Sequence, residues 1–180
     1  MTPSSDSVRA LEQRFGPSPG GQVVVVDVAN QRLYLFRGGD LVAQWPVSTS
    51  RYGIGNREES HKTPTGAHRV ARKIGDGAPV GTLFRGRRDT GRIVTIHRDD
   101  TPAPEDYVTT RILWLEGLEP GINKGAGIDS FQRYIYIHGT AEEGRIGTPA
   151  SHGCVRMRNA DVIELFDLID MGTLVDIRAP

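Results

Sequence analysis

QVVVVDVANQRLYLFRGGDLVAQWPV, residues 22–47, decides the fold class. Gln22–Asp27 is dense in valine, whose stiff, branched side chain packs well on a pleated surface. Gln31–Arg37 alternates polar and apolar residues with the period of two expected of a strand with one buried face. Gly38-Gly39-Asp40 supplies a tight turn, and Leu41–Val47 returns as a third strand. The first quarter of the chain therefore predicts an open hairpin unit.

Downstream, Val80–Phe84, Arg92–His97 and Ile112–Leu115 read as further strands. Tyr134–Ile137 (YIYI) reads as a central strand that delivers the chain directly to His138, and Leu174–Ile177 as the last strand. Helical periodicity returns at Asn159–Ile169, where Asn159 can cap, Val162, Leu165, Phe166 and Ile169 form an apolar stripe, and Gly172 stops the element. Upstream, residues 1–7 are Ser/Pro-rich and read as disordered. Val8, Leu11 and Phe15 share one face of a short helix that Gly16-Pro17 would stop. The expected organisation is a flexible segment over 1–20 with at most a short helix, then one mainly-β domain over 21–180 with one or two short helices. Ser48–Gly66 has no period, and loops that long in compact domains are usually functional or disordered.

Composition agrees. Of 180 residues, 37% are hydrophobic and 24% charged, with 22 glycines and 11 prolines, a mixture that favours strands and turns over a helical bundle. Lys+Arg and Asp+Glu both number 22, which disfavours a strongly basic nucleic-acid binder and a protein held to anionic lipid by net charge. The charge is uneven: residues 69–98 hold eight bases against two acids, and 99–119 hold six acids against one arginine. The basic stretch predicts an anion-attracting wall beside a cleft, but with Phe84 alone among its Phe, Tyr and Trp positions it makes no stacking platform. Apolar runs such as Val23–Val26 fall far short of the roughly 20 residues of a transmembrane helix. The first 20 residues are polar and lack a signal-type apolar stretch, so the sequence as given reads as cytoplasmic, or as periplasmic or wall-bound if a leader has been removed.

The chemistry gathers in His138-Gly139-Thr140 and Ser151-His152-Gly153-Cys154-Val155-Arg156-Met157. Cys154 is the sole cysteine, which excludes an internal disulfide and a multi-thiolate metal site. A cysteine becomes a nucleophile when a partner takes its proton, usually histidine. His138, at the end of a rigid apolar strand, can be aimed as a base. His152, two residues from the thiol, is better suited to a second contact. Gly153 permits backbone angles closed to other residues, and consecutive N–H groups in such a turn make an anion nest. Arg156 could clamp a substrate carboxylate or pair with Asp161 or Glu164, and the helix starting near Asn159 would add positive potential. Two other readings stay open: an inert buried cysteine, and a metal site from His138, His152 and Cys154, for which H-x-C is weak spacing. His61, His68 and His97 are isolated and read as surface or internally satisfied histidines, although His61 and His68 flank the Lys62–Gly66 turn.

SHGCVRM at 151–157, preceded by IHGT at 137–140, resembles the signature of the L,D-transpeptidase family, the YkuD-type catalytic domain. KTPTG at 62–66 is similar to the family's TPxG turn, and QRLYLF followed by PVST fits its order, so that the resemblance covers residues 21–178. It implies a sandwich-like β fold with a cleft under a loop. It also implies attack on the L,D peptide bond before the terminal D-alanine of a peptidoglycan stem, usually after a meso-diaminopimelyl centre. By that resemblance Cys154 is the nucleophile, His138 its base, and the Gly139 carbonyl, borne by serine in some relatives, orients the imidazole. N–H groups of His152, Gly153 and Cys154 form the oxyanion hole. Ser151 buttresses the turn, and Arg156 matches an arginine that many members carry. No cofactor or metal is implied. The partners are peptidoglycan stem peptides or muropeptides, with D-amino acids as further acceptors. A thioester captured by water would make an L,D-carboxypeptidase of muropeptide recycling. Captured by an amine, it would make a crosslinking transpeptidase outside the membrane, with residues 98–130 as the place where the two would differ. A non-catalytic stem-binding domain would be expected to have lost Cys154 or His138.

Overall fold

The valine run is buried without interruption because both of its faces are covered. In chain order the elements are α1 (Ser5–Phe15), β1 (Gln22–Asp27), β2 (Arg32–Arg37), β3 (Asp40–Pro46), β4 (Gly66–Ile74), β5 (Thr82–Arg85), β6 (Arg88–Ile93), β7 (Val108–Gly117), β8 (Tyr136–Gly139), β9 (Val155–Met157), α2 (Asn159–Leu168) and β10 (Leu174–Arg178). They come from a computed structural model that describes residues 1–180. Val24 and Val26 point into the main core, whereas Val23 and Val25 pack with Val8, Leu11 and Phe15 of α1. A strand covered on both sides loses the alternation of a half-exposed one and reads as a continuous apolar run.

That second layer corrects the expectation for the N-terminus. Residues 1–7 are not all irregular: α1 starts at Ser5, capped by Ser4 Oγ, which accepts the Ser7 N–H at 3.2 Å. Its end is tied down by Arg69, which donates to the Phe15 carbonyl at 2.7 Å. The short helix expected from Val8, Leu11 and Phe15 is present, ends at Gly16 as expected, and forms a cover for the sheet.

The strands run in the order β3-β2-β1-β10-β4-β7-β5-β6, with β8 on β7 and β9 beyond it. The hairpin unit β1–β3 stands as expected. Two strands, β4 and β9, went unforeseen, and β6 is shifted from its expected place. β4 lies mid-sheet between β10 and β7, yet its polar residues hide the pattern. Arg69 and Lys73 there donate to backbone carbonyls of Gly172, Phe166 and Ile169, so they pin helix and loop ends. Of the eight bases expected to form a wall over 69–98, these two are thus tied to backbone carbonyls. β6 falls at 88–93, not 92–97, because it is an exposed edge strand with no buried face to impose alternation. One core joins the two halves of this mainly-β single domain: Val24 and Leu35 from one, Leu113, Ile137 and Val155 from the other, with Leu165 of α2 between them. No helix is long and apolar enough to cross a membrane.

His68 on β4 is a satisfied buried histidine. Its Nδ1 faces the Gly66 carbonyl at 2.9 Å, so it carries the hydrogen, and Nε2 accepts from Ser130 Oγ at 2.8 Å. Burial pushes its pKa down to about 4, against the Gly66 carbonyl and the charge of Glu119, which favour protonation; Arg133 adds to the lowering. Between that value and about 6.5 the unfolded chain binds the proton and the folded chain does not, so stability falls as pH drops through this window. The expected loss approaches about 3 kcal/mol at the acid end. Urea midpoints taken across the window should show the slope, and a His68→Gln variant should flatten it. An equal slope in both proteins would remove His68 as the cause.

Candidate active site

β8 and β9 run parallel in a register that sets Ile137 beside Val155 and His138 beside Arg156. Ile137 and Val155 enter the main core. The alternation of a strand then turns His138, Arg156 and Cys154 to the opposite face, where Cys154 meets Tyr136, Phe84 and Ile112. Three sequence-expected site residues are brought together by this one pair of short strands.

His138 is 1% exposed. Its Nδ1 lies 2.5 Å from the Gly139 carbonyl. A carbonyl only accepts, so Nδ1 carries the hydrogen and Nε2 of the neutral ring keeps a lone pair. Burial holds the imidazole pKa below its ordinary value; the Asp106 charge and the Gly139 carbonyl oppose this, and Arg156 adds to it. Gly139 must approach its neighbours closely: a Cβ there would come within 2.6 Å of both Asn159 Oδ1 and the Thr109 carbonyl. Asn159 occupies the space that a serine side chain would need.

Asn159 is not the helix cap that its position suggested. It is buried, accepts from Thr109 and Thr110 hydroxyls at 2.6 and 2.5 Å, and donates to the Thr140 carbonyl at 2.8 Å. The start of α2 is instead satisfied by Glu143, which accepts the Asn159 N–H at 2.8 Å. The positive end of that helix is therefore spent on Glu143 and not on the thiol.

Cys154 Sγ accepts the Tyr136 N–H at 3.3 Å and donates to the Tyr134 carbonyl at 3.4 Å. No hydrogen bond joins it to the His138 ring. Burial pushes the thiol pKa up to about 12, more than the Tyr136 N–H, Arg156 and Arg133 recover. Both shifts favour the neutral forms, of the thiol and of the imidazole. Around the thiol, Gly153 has φ +132°, a region L side chains rarely adopt. Its N–H points to Ser151 Oγ at 3.3 Å, and the N–H groups of His152 and Cys154 find no acceptor in the chain. Ser151 is buried and donates to the Cys154 carbonyl at 2.6 Å. It braces the turn and is not placed to touch a substrate.

Arg156 departs from both expectations. At 1% exposure it cannot reach a bound carboxylate, and its partners are neither Asp161 nor Glu164. It pairs with Asp106 and, at 3.0 Å, with Glu142. Asp106 also accepts from His152 Nδ1 at 2.9 Å. Burial alone would raise the Asp106 pKa, but the charge of Arg156, then that of His138 and bonds from Arg156 and His152, bring it below the usual carboxylate range.

The thiol opens on a cavity of about 240 Å³ whose wall includes Glu58, Glu59, His61, Arg133 and His152. His61 thus belongs to the rim, 6.4 Å from the His152 ring. Arg133 holds the 48–66 loop through the carbonyls of Lys62 and Gly55 at 2.7 and 3.3 Å. Thr63 of the same loop donates to the Gly153 carbonyl at 2.9 Å. The unpatterned loop is therefore a wall of the site. Sequence reasoning missed Asp106 and Arg133; the acid density of 99–119 pointed toward the first, and nothing marked the second. No three His, Cys, Asp or Glu side chains converge as a metal site would need.

The family model of the L,D-transpeptidase catalytic domain, YkuD, matches residues 21–177. The chain is 40% identical over 89 residues to the L,D-transpeptidase YkuD of Bacillus subtilis, covering 49% of each protein. It is 28% identical to ErfK/SrfK of Salmonella typhimurium over 177 residues, which is 97% of this chain and 50% of that protein. It thus spans about half the length of these curated relatives. Among solved structures, an L,D-transpeptidase from Mycobacterium smegmatis shares the fold with a TM-score of 0.52 at 16% identity, over 88% of this chain and 59% of that one.

Proposed function

The chain belongs to the L,D-transpeptidase catalytic-domain family, and from that premise we propose that it transfers the acyl group of a peptidoglycan stem peptide through a Cys154 thioester, releasing the terminal D-alanine. The observation that carries this reading is that one pair of short strands turns the single thiol, at the wall of a cavity, to the same face as a buried imidazole whose Nδ1 hydrogen is fixed by the Gly139 carbonyl.

In the first half-reaction His138 Nε2 takes the thiol proton as Sγ attacks the stem carbonyl. The free N–H groups of His152 and Cys154 receive the developing oxyanion. The C–N bond then breaks, and the imidazolium returns its proton to the leaving D-alanine nitrogen. In the second half-reaction His138 removes a proton from the acceptor, water or an amine, which displaces Sγ. A neutral carbonyl behind His138 stabilises the imidazolium less than a carboxylate would, so no third acidic residue is needed at Nδ1. Arg133, with no carboxylate paired to it, takes over the role that sequence assigned to Arg156: it receives the anionic end of the stem. The Arg133 terminal nitrogens already hold Gly55, Ser60 and Lys62, so it serves there as a fixed positive charge at the cavity wall.

Incubation with a purified disaccharide tetrapeptide, with and without excess D-amino acid, followed by mass analysis tests the reading. Tripeptide alone means hydrolysis, exchanged tetrapeptide means transfer, and unchanged substrate in both arms overturns the proposal. An amidated stem should show a raised KM; equal kcat/KM for amidated and free stems would remove Arg133 from carboxylate recognition.

A further inference from the structure

Asp106 sits on the loop just before β7, 46 residues from His152 and 50 from Arg156 in sequence, yet it joins them. One oxygen takes the Arg156 guanidinium and the other takes His152 Nδ1 at 2.9 Å. A carboxylate only accepts, so His152 Nδ1 carries a hydrogen in this bond, and Nε2 is turned away from Asp106. Arg156 in turn is held by Asp106 and Glu142 alone, its Nε being buried without a partner. The bridge lies against the site: His152 forms part of the cavity wall, and Asp106 acts on His138 through its charge.

We infer that Asp106 is a positioning residue for acyl transfer at Cys154: anchored by Arg156, its carboxylate fixes the His152 ring at the cavity wall. The inference rests on the acyl-transfer reading of this site. The charged groups facing His138 are Asp106 and Arg156, and those facing Cys154 are the same two with Arg133. The negative charge of Asp106 favours the imidazolium and disfavours the thiolate. Removing it should lower the pKa of both groups, because His138 and Cys154 are then left facing cations. Detaching His152 should also let its ring swing, and misplacing a group at a reaction centre by an ångström can cost up to about 100-fold.

The test is Asp106→Asn, which keeps an oxygen for Arg156 and loses the acceptor for His152. Thermal midpoints are taken alongside, with Asp106→Glu as the rescue variant. Acylation by a carbapenem should fall about 10-fold or more, with its acid limb moved to lower pH and with much of the loss restored by glutamate. In a His152→Ala background the same substitution should cost much less in rate, since the group it positions is gone. Alkylation of Cys154 by iodoacetamide, which needs no peptidoglycan chemistry, should also shift to lower pH. If wild type is not acylated, the functional reading fails and the alkylation profile still judges Asp106. Unchanged alkylation and acylation profiles in a folded Asp106→Asn protein would overturn the inference, as would a rate loss of equal size in the His152→Ala background.

Discussion

Cys154→Ala is expected to abolish turnover of stem peptides while the protein stays folded. The chemistry leaves no substitute: Cys154 is the only thiol in the chain, and no serine or second cysteine stands where the imidazole could activate it. The fold should tolerate the change, because the thiol contributes only two long hydrogen bonds, at 3.3 and 3.4 Å, and the edge of a small apolar cluster. A carbapenem, as an acylating mimic of the stem, should add covalent mass to the wild type at Cys154 and none to the variant. Substantial activity in a variant with native-like circular dichroism would defeat the assignment. The raised thiol pKa, about 12, sharpens the expectation. Very little thiolate exists at neutral pH, so reactivity toward simple alkylating agents should be low and should climb with pH, whereas acylation by a carbapenem seated in the cavity, with His138 taking the proton, should not need alkali.

Much of the site was legible because it is local. Ile137 and Val155 enter the core and thereby force His138 and Cys154 to the other face, a consequence of strand period alone. The Nδ1 bond of His138 involves the adjacent residue, so the motif contains it. The strap around the motif was not legible. Arg156 could be read only with its neighbours in sequence, and its partners, Asp106 and Glu142, come from a distant loop and from the segment after β8. The same limit explains β4, a mid-sheet strand whose Arg69 and Lys73 serve as staples to backbone carbonyls; their charge says surface, and their hydrogen bonds say interior. At the N-terminus the opposite error arose. Ser and Pro suggested disorder over residues 1–7, but the helix expected from Val8, Leu11 and Phe15 starts already at Ser5, and its apolar face covers β1.

The two histidines of the motif should not be equivalent. His138→Ala removes the imidazole that β8 turns to the thiol's face, and the acylation rate should fall about 100-fold or more, the usual range for losing a general base. The ring is buried at 1% exposure, so bulk solvent does not reach its place as an alternative base. His152→Ala should cost less. It keeps the backbone N–H offered to the oxyanion and loses a half-exposed ring held by Asp106. The pH dependence separates the two further. Burial lowers the His138 pKa, so the free base persists below the usual histidine range and the acid limb of wild-type acylation should lie beneath about pH 6.5. Because folded His138 resists protonation more than the unfolded chain does, its burial also withdraws stability as pH falls through that range, and His138→Ala should lose this part of the acid sensitivity along with its rate. A larger loss of acylation rate from His152→Ala than from His138→Ala, in folded proteins, would exchange their roles: the base would then be the rim histidine that Asp106 holds, and the buried ring a structural post beneath it.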